Sequence, residues 1–167
     1  MHRLGAENVS LDSSVIVDFH LTNNLALLES LFAGRMLLSD FVEQEVAEAG
    51  IRLQGAEVIS LANPEEWQFF EELQRNRPIL GSGELGALTV ASFKGAILLS
   101  NDKQARQAAE EAGIPVHGSM GVLEFGVDAD AVSGREAVTI LEDMIRQGAW
   151  VSDDLLELFR LRVLEGG

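Results

Sequence analysis

Four acidic residues, Asp12, Glu45, Glu84 and Asp102, stand where carboxylates could do chemistry. Asp12 lies inside Val9-Ser10-Leu11-Asp12-Ser13-Ser14-Val15-Ile16-Val17, a stretch that reads as a strand although strand interiors disfavour Asp. A carboxylate flanked by Leu11 and Val15 is costly to bury unless it is paired or binds a metal. Asp102 follows the apolar run Ala96 to Leu99, Glu45 lies one or two turns into a predicted helix, and Glu84 lies in the first turn of another. Each has a plainer role open to it. Glu45 and Glu84 could be acids that stabilise a helix N-terminus, Asp102 an N-cap, and Asp12 a turn residue with Ser13 and Ser14. Taken together, four acids at equivalent topological places favour a shared site. Converging carboxylates suit Mg²⁺ or Mn²⁺, which take oxygen ligands, and metals held in this way activate water and stabilise in-line displacement at phosphorus. The chemistry indicated is phosphodiester hydrolysis. Ser13 and Ser100 are placed to orient a carboxylate or a water. Lys103 and Arg106, just past Asp102, are candidates for contacts to substrate phosphate, weighed against a solvated helix face.

Alternating elements must position these residues. Strands are predicted over 8–17, 36–39, 58–61 and 96–99, with a last short one around Val116. Helices are predicted over 25–32, from Asp40 (with Glu43 as capping partner) toward Gly50, and over 64–74 with proline near the first turn. Further helices are expected over 82–93, over 103–112 closed by Gly113, from Ser133 (capping partner Glu136) to near Gly148, and over 155–164. Alternation of this kind predicts an α/β fold with a mostly parallel central sheet, as one domain over 1–167 with a core at about 8–125 and C-terminal helices at about 133–165. In such sheets ligands gather beyond the carboxyl ends of the strands, where these acids fall.

Composition narrows the classes. The 167 residues carry 27 Asp and Glu against 12 Lys and Arg, a formal charge of −15, which disfavours non-specific attraction to nucleic acid. Cysteine is absent, excluding a disulfide scaffold, a thiolate metal site and a cysteine nucleophile. No apolar run is long enough to span a membrane, and the N-terminus lacks a signal-peptide pattern. A cytoplasmic protein is expected.

The acids also carry a resemblance. Leu11-Asp12-Ser13-Ser14-Val15-Ile16-Val17 resembles the opening strand of the PIN-domain nucleases, whose Asp is a metal ligand. Ser39-Asp40-Phe41-Val42-Glu43-Gln44-Glu45-Val46 is similar to their second motif, and its spacing selects Glu45 over Glu43. Gly83-Glu84-Leu85-Gly86-Ala87-Leu88 resembles the third, and Leu98-Leu99-Ser100-Asn101-Asp102 the fourth. The likeness covers roughly residues 8 to 125. Asp102 to Arg106 and Gly113 to Leu123 look like a prokaryotic subfamily similar to the VapC-type toxins of toxin–antitoxin pairs. The resemblance implies a three-layer α/β/α fold and metal-dependent RNase activity on single strands, with a 5′-phosphate left on the product. Asp12, Glu45, Glu84 and Asp102 would be the catalytic, metal-holding residues. RNA would be the substrate, and an antitoxin protein or a second copy of the chain the partner. Many members carry a further Asp just after the fourth acid, where this chain has Lys103, Gln104 and Ala105; a second metal is therefore in doubt, although the Asn101 amide could contribute. That departure and the low basic count motivate a different reading, a catalytically impaired module acting through a protein partner.

Rival motifs fit less well. Gly81-Ser82-Gly83-Glu84-Leu85-Gly86 is a literal G-x-G-x-x-G with Asp102 downstream, but a dinucleotide fingerprint needs a strand just before it, and a Glu beside a pyrophosphate would repel it. A haloacid-dehalogenase-like phosphatase needs a second Asp where Ser14 stands. His2, His20 and His117 have no spaced partner for a metal site and read as surface or loop residues. Trp67, Phe69, Phe70 and Trp150 read as packing residues rather than a stacking platform, with Arg75 and Arg77 leaving a weaker stacking reading for the Trp67 helix. Leu155, Leu156, Phe159 and Val163 give the last helix an apolar stripe for packing or a partner.

Overall fold

The computed structural model describes residues 3–165; His2 lies outside them. Five strands form one sheet: β1 (Val9–Leu11), β2 (Met36–Ser39), β3 (Glu57–Ile59), β4 (Ile97–Leu99) and β5 (Val116–His117). Their spatial order is β3-β2-β1-β4-β5, and every pairing is parallel, with Val9 opposite both Met36 and Ile97. Around it lie α1 (Ser13–Leu21), α2 (Leu25–Leu31), α3 (Asp40–Glu48), α4 (Pro64–Asn76), α5 (Ser82–Lys94), α6 (Lys103–Glu111), α7 (Ser119–Asp128), α8 (Gly134–Arg146) and α9 (Asp153–Glu165). The architecture is three-layer α/β/α with an all-parallel sheet, as the alternation predicts.

The strands are short and fully buried along β1, β2 and β4, which is what a parallel sheet covered on both faces requires. Helix α5 explains why it reads as small residues between apolar ones. Seven consecutive residues, Leu85 to Ala91, are buried, because the helix packs on β1, β2 and β4 with α3, α4 and α6 around it. Its glycines are contact points. A methyl at Gly86 would stand 2.7 Å from Ser39 Oγ and 2.9 Å from Phe41 Cδ2, so only glycine lets α5 approach the β2–α3 junction this closely. Ser10, facing inward from β1, is satisfied by donating to the Ala87 carbonyl at 2.8 Å.

Several boundaries differ from the sequence reading. The first strand ends at Leu11, and Ser13 to Leu21 is helical. Val15, Ile16 and Phe19 are buried as a helix face, so the β-branched, apolar composition here reflects burial rather than strand pairing. Helix α3 is capped by Ser39, whose Oγ accepts from Val42 N at 3.2 Å; Asp40 is its first residue rather than its cap. Helix α8 is capped by Ser133 through Glu136 N at 3.0 Å, as expected.

The sheet order has one reversal. From β1 the chain moves outward to β2 and β3, then returns through α4 and α5 to lay β4 on the other side of β1. The crevice beyond the carboxyl ends of β1 and β4 is therefore the topological switch point, the place where such sheets bind ligands.

Candidate active site at the switch point

Asp12 sits one residue past β1, in extended backbone, as the N-cap of α1. It is only 2% exposed. Oδ1 accepts from Ser13 N at 2.9 Å, while Oδ2 accepts from Ser14 Oγ at 2.9 Å and from Ser100 Oγ at 2.7 Å. Burial pushes its carboxyl up to about 6 in spite of these donors, and the nearby Glu84 carboxylate pushes the same way. No cation pairs with it among the described residues.

Ser100 links the two strands at the crevice. Its hydroxyl donates to Asp12 and accepts from Asp102 N at 3.1 Å. Asp102 is the N-cap of α6, with Oδ1 accepting from Ala105 N at 2.8 Å; the capping role and a place beside Asp12 therefore coexist. Glu84 lies in the first turn of α5. A helix that feeds a parallel strand runs against it, so this turn lies at the carboxyl edge of the sheet. Its Oε2 lies 2.9 Å from where a methyl on Gly81 would be. Glu45, an exposed residue of α3, turns its carboxylate onto α5, with Oε2 2.8 Å from where a methyl on Gly83 would be. Gly83 thus makes room for Glu45 beside Glu84.

All four acids stand at one edge of the sheet. As placed, however, no three His, Asp or Glu side chains among the described residues are close enough to grip one ion together. Asp12 and Asp102 are each engaged by their own donors, and uncompensated carboxylates repel one another. The donor set still fits a hard divalent cation. It consists of carboxylate oxygens, and Asp12 is buried with a second carboxylate raising its charging cost. Asp40, at the carboxyl end of β2, adds a buried Oδ1 with no hydrogen-bond partner.

Of the supporting residues, Ser13 contributes its backbone N–H rather than its hydroxyl, and Ser14 supplies the hydroxyl instead. Asn101 faces away from Asp12. Its Nδ2 donates to Asp18 Oδ2 and Ser119 Oγ, both at 2.8 Å, and its Oδ1 accepts from Ser119 N at 2.8 Å. Lys103 is exposed, and Arg106 is half-buried with Nη1 on the Ser100 carbonyl at 3.3 Å.

Sequence reasoning passed over Asp18. It accepts from Asn101 and Ser119, and burial holds its carboxyl above the ordinary range against those two donors. The available signal was its spacing four residues after Ser14, which shares a face only if this stretch is helical. The histidines remain apart: His20 is exposed on α1, and His117 is half-buried in β5 rather than in a loop. Trp67 packs edge-on to Phe41 and Phe70, as expected of a packing residue. Trp150 does not pack; it is 85% exposed. In α9 the buried stripe is Phe159 and Val163 with Leu156 against the core, whereas Leu155 is exposed. The dinucleotide reading fails because Gly81 is preceded by α4 and a loop, with no strand before it.

An all-parallel sheet covered by helices, with acidic residues near its switch point, defines an α/β protein. Residues 8–165 match the PIN domain, and the chain belongs to that family. PIN domains are generally nucleases and typically use divalent metal ions, which places the chain among hydrolases acting on nucleic acids. No curated protein matches it. No helix among the described residues is long and apolar enough to cross a membrane.

Proposed function

We propose that the chain is an endoribonuclease that hydrolyses phosphodiester bonds of single-stranded RNA with Mg²⁺ or Mn²⁺. The observation that carries this reading is Asp12: a carboxylate 2% exposed, held by two hydroxyls and a backbone N–H, and pushed toward the neutral form beside a second acid. A fold does not maintain an acid against burial without a use for its charge. Asp12, Glu45, Glu84 and Asp102 would hold the ion. When bound, such an ion lowers the pKa of water and neutralises charge on a phosphoryl group.

The chain's own groups do the rest. Ser14 and Ser100 fix the direction of Asp12, and Ser100 ties it to the Asp102 backbone. Arg106, anchored on Ser100 O, and Lys103 on the first turn of α6 present cations for the phosphates. Hydrolysis then adds a water oxygen to phosphorus and releases the 3′ oxygen, leaving a 5′-phosphate. The test is cleavage of single-stranded RNA with Mn²⁺, comparing the wild type with Asp12→Asn and Glu84→Gln; equal rates refute the reading.

The reading extends to a cytoplasmic toxin of a toxin–antitoxin pair. Leu158, Leu161 and Leu164 of α9 are 46–53% exposed, and such apolar surface on an acidic chain favours a basic protein partner. The same surface supports the second reading, a catalytically impaired module acting through that partner. Calorimetry separates them: no Mn²⁺ binding at millimolar concentration favours the impaired module.

A further inference from the structure

A cleft of about 1200 Å³ opens past Ser14, which holds Asp12, and Asn101, which precedes Asp102; none of the four acids lines it, and Lys103, Arg106, Trp150 and Arg162 do. It exceeds the roughly 300–1,000 Å³ of small-molecule sites, which suits a segment of polymer. Its cations are unevenly committed. Arg162 is paired with Glu124 at 2.6 Å, whereas Lys103 and Arg106 have no carboxylate partner among the described residues. Arg106 is held in place by Ser100 O, and Gly118 gives it room: a methyl there would lie 2.6 Å from Nη1. Asp18, on the same wall, is turned to Asn101 and Ser119. Lys103 and Arg106, without carboxylate partners among the described residues, are where an anion can be held in a cleft that Asp18, Glu110 and Glu124 also line.

Trp150 completes the cleft from the loop between α8 and α9, just after Gly148, whose φ of +112° turns the chain there. With the indole 85% exposed, packing does not account for it. An exposed aromatic beside cations is the arrangement on which single-stranded bases stack.

We propose that this cleft is a track for the RNA strand adjoining the scissile bond, with Lys103 and Arg106 on its phosphates and Trp150 stacked on a base. Selectivity for unpaired strands follows, since a paired base has no free face to offer. The identity of the strand rests on the ribonuclease reading; the stacking role of Trp150 is tested separately from it. In the Trp67→Phe protein, Trp150 is the sole tryptophan, and a uridine oligomer of about twelve nucleotides in metal-free buffer should quench its emission. Trp150→Ala should weaken binding of the same oligomer about tenfold and Trp150→Phe much less, as stacking by any aromatic ring predicts. A hairpin duplex of equal charge should quench weakly. Unchanged emission with the oligomer, or equal binding by the wild type and Trp150→Ala, overturns the proposal and assigns the indole to a protein-binding surface. Quenching in a protein that cleaves no RNA with any divalent ion upholds the track and refutes the ribonuclease reading; cleavage with a silent Trp150 does the reverse.

Discussion

Replacing Asp12 by Asn should make the protein more stable while removing its proposed activity. In the fold this carboxyl is raised from 3.8 to about 6, so the native state binds its proton more tightly than the unfolded chain does. Stability contributed by a raised acid is therefore lost as pH climbs from about 4 to 6, and the full cost applies above about pH 6. A shift of about two units is worth about 3 kcal/mol, at roughly 1.4 kcal/mol per unit. Asn carries no charge and escapes this cost. Its Oδ1 keeps the Ser13 N–H, but its amide must turn the Ser14 and Ser100 hydroxyls from donors into acceptors, at about 1 kcal/mol. The net gain is about 2 kcal/mol near pH 7.5, and near pH 5, where the native wild type is mostly protonated and the charge cost has roughly halved, it should fall to about 0.6 kcal/mol. Urea denaturation without divalent ions measures this as a shift in midpoint at constant slope. Added Mn²⁺ should raise the wild-type midpoint and leave Asp12→Asn nearly unmoved. A variant less stable than the wild type at neutral pH, or a difference independent of pH, would refute the reasoning that burial dominates this site.

Other perturbations probe the scaffold and its link to the site. Arg35 donates to the carbonyls of Leu4, Glu7 and Leu31 at 2.5–3.0 Å and lies 5.3 Å above the Phe32 ring; Arg35→Ala should cost about 2–3 kcal/mol in denaturant midpoint by stranding those acceptors. Gly86→Ala should cost about 1–3 kcal/mol, since the methyl meets Ser39 Oγ and Phe41 and disturbs the cap of α3; calorimetry would show a lower Tm. Asp18→Ala releases Asn101 and Ser119 and, through the loop that carries Asp102, should reduce RNA cleavage about tenfold or more, with Asp18→Asn retaining part of it. Unaltered kinetics in Asp18→Ala would limit that network to stability.

The candidate acids could be singled out because their signals are local. Asp12 and Asp102 lie at the junction of an apolar run and a helix start, Glu84 in a first turn and Glu45 a turn farther on, and such junctions are marked by composition and capping residues. The order of elements and their parallel alternation follow from the same patterns. The first motif shows the boundary of this reading. Val15-Ile16-Val17 looks like the continuation of a strand, yet forms a helix because the sheet ends at Leu11 and α1 is buried among α2, α3, α7 and α8. Composition reports burial, not which backbone hydrogen bonds accompany it. Because the helical phase of α1 was hidden, so was the pairing of Ser14 with Asp12 and of Asp18 with Asn101.

The chain's pattern alone thus carried most of the element order and the sheet type, and it set the four candidate acids near strand ends and helix starts, for these depend on neighbours within a few positions. Tertiary structure decided what no local pattern encodes. The return crossover put β4 beside β1, so that Ser100 reaches Asp12 across 88 positions of sequence and ties it to the Asp102 backbone. The approach of α3 to α5 turned Glu45 onto Gly83. Trp150 was left in water beside the cleft rather than in the core. Exposure and long-range contact are properties of the packed chain, and an indole reads the same in sequence whichever way it faces.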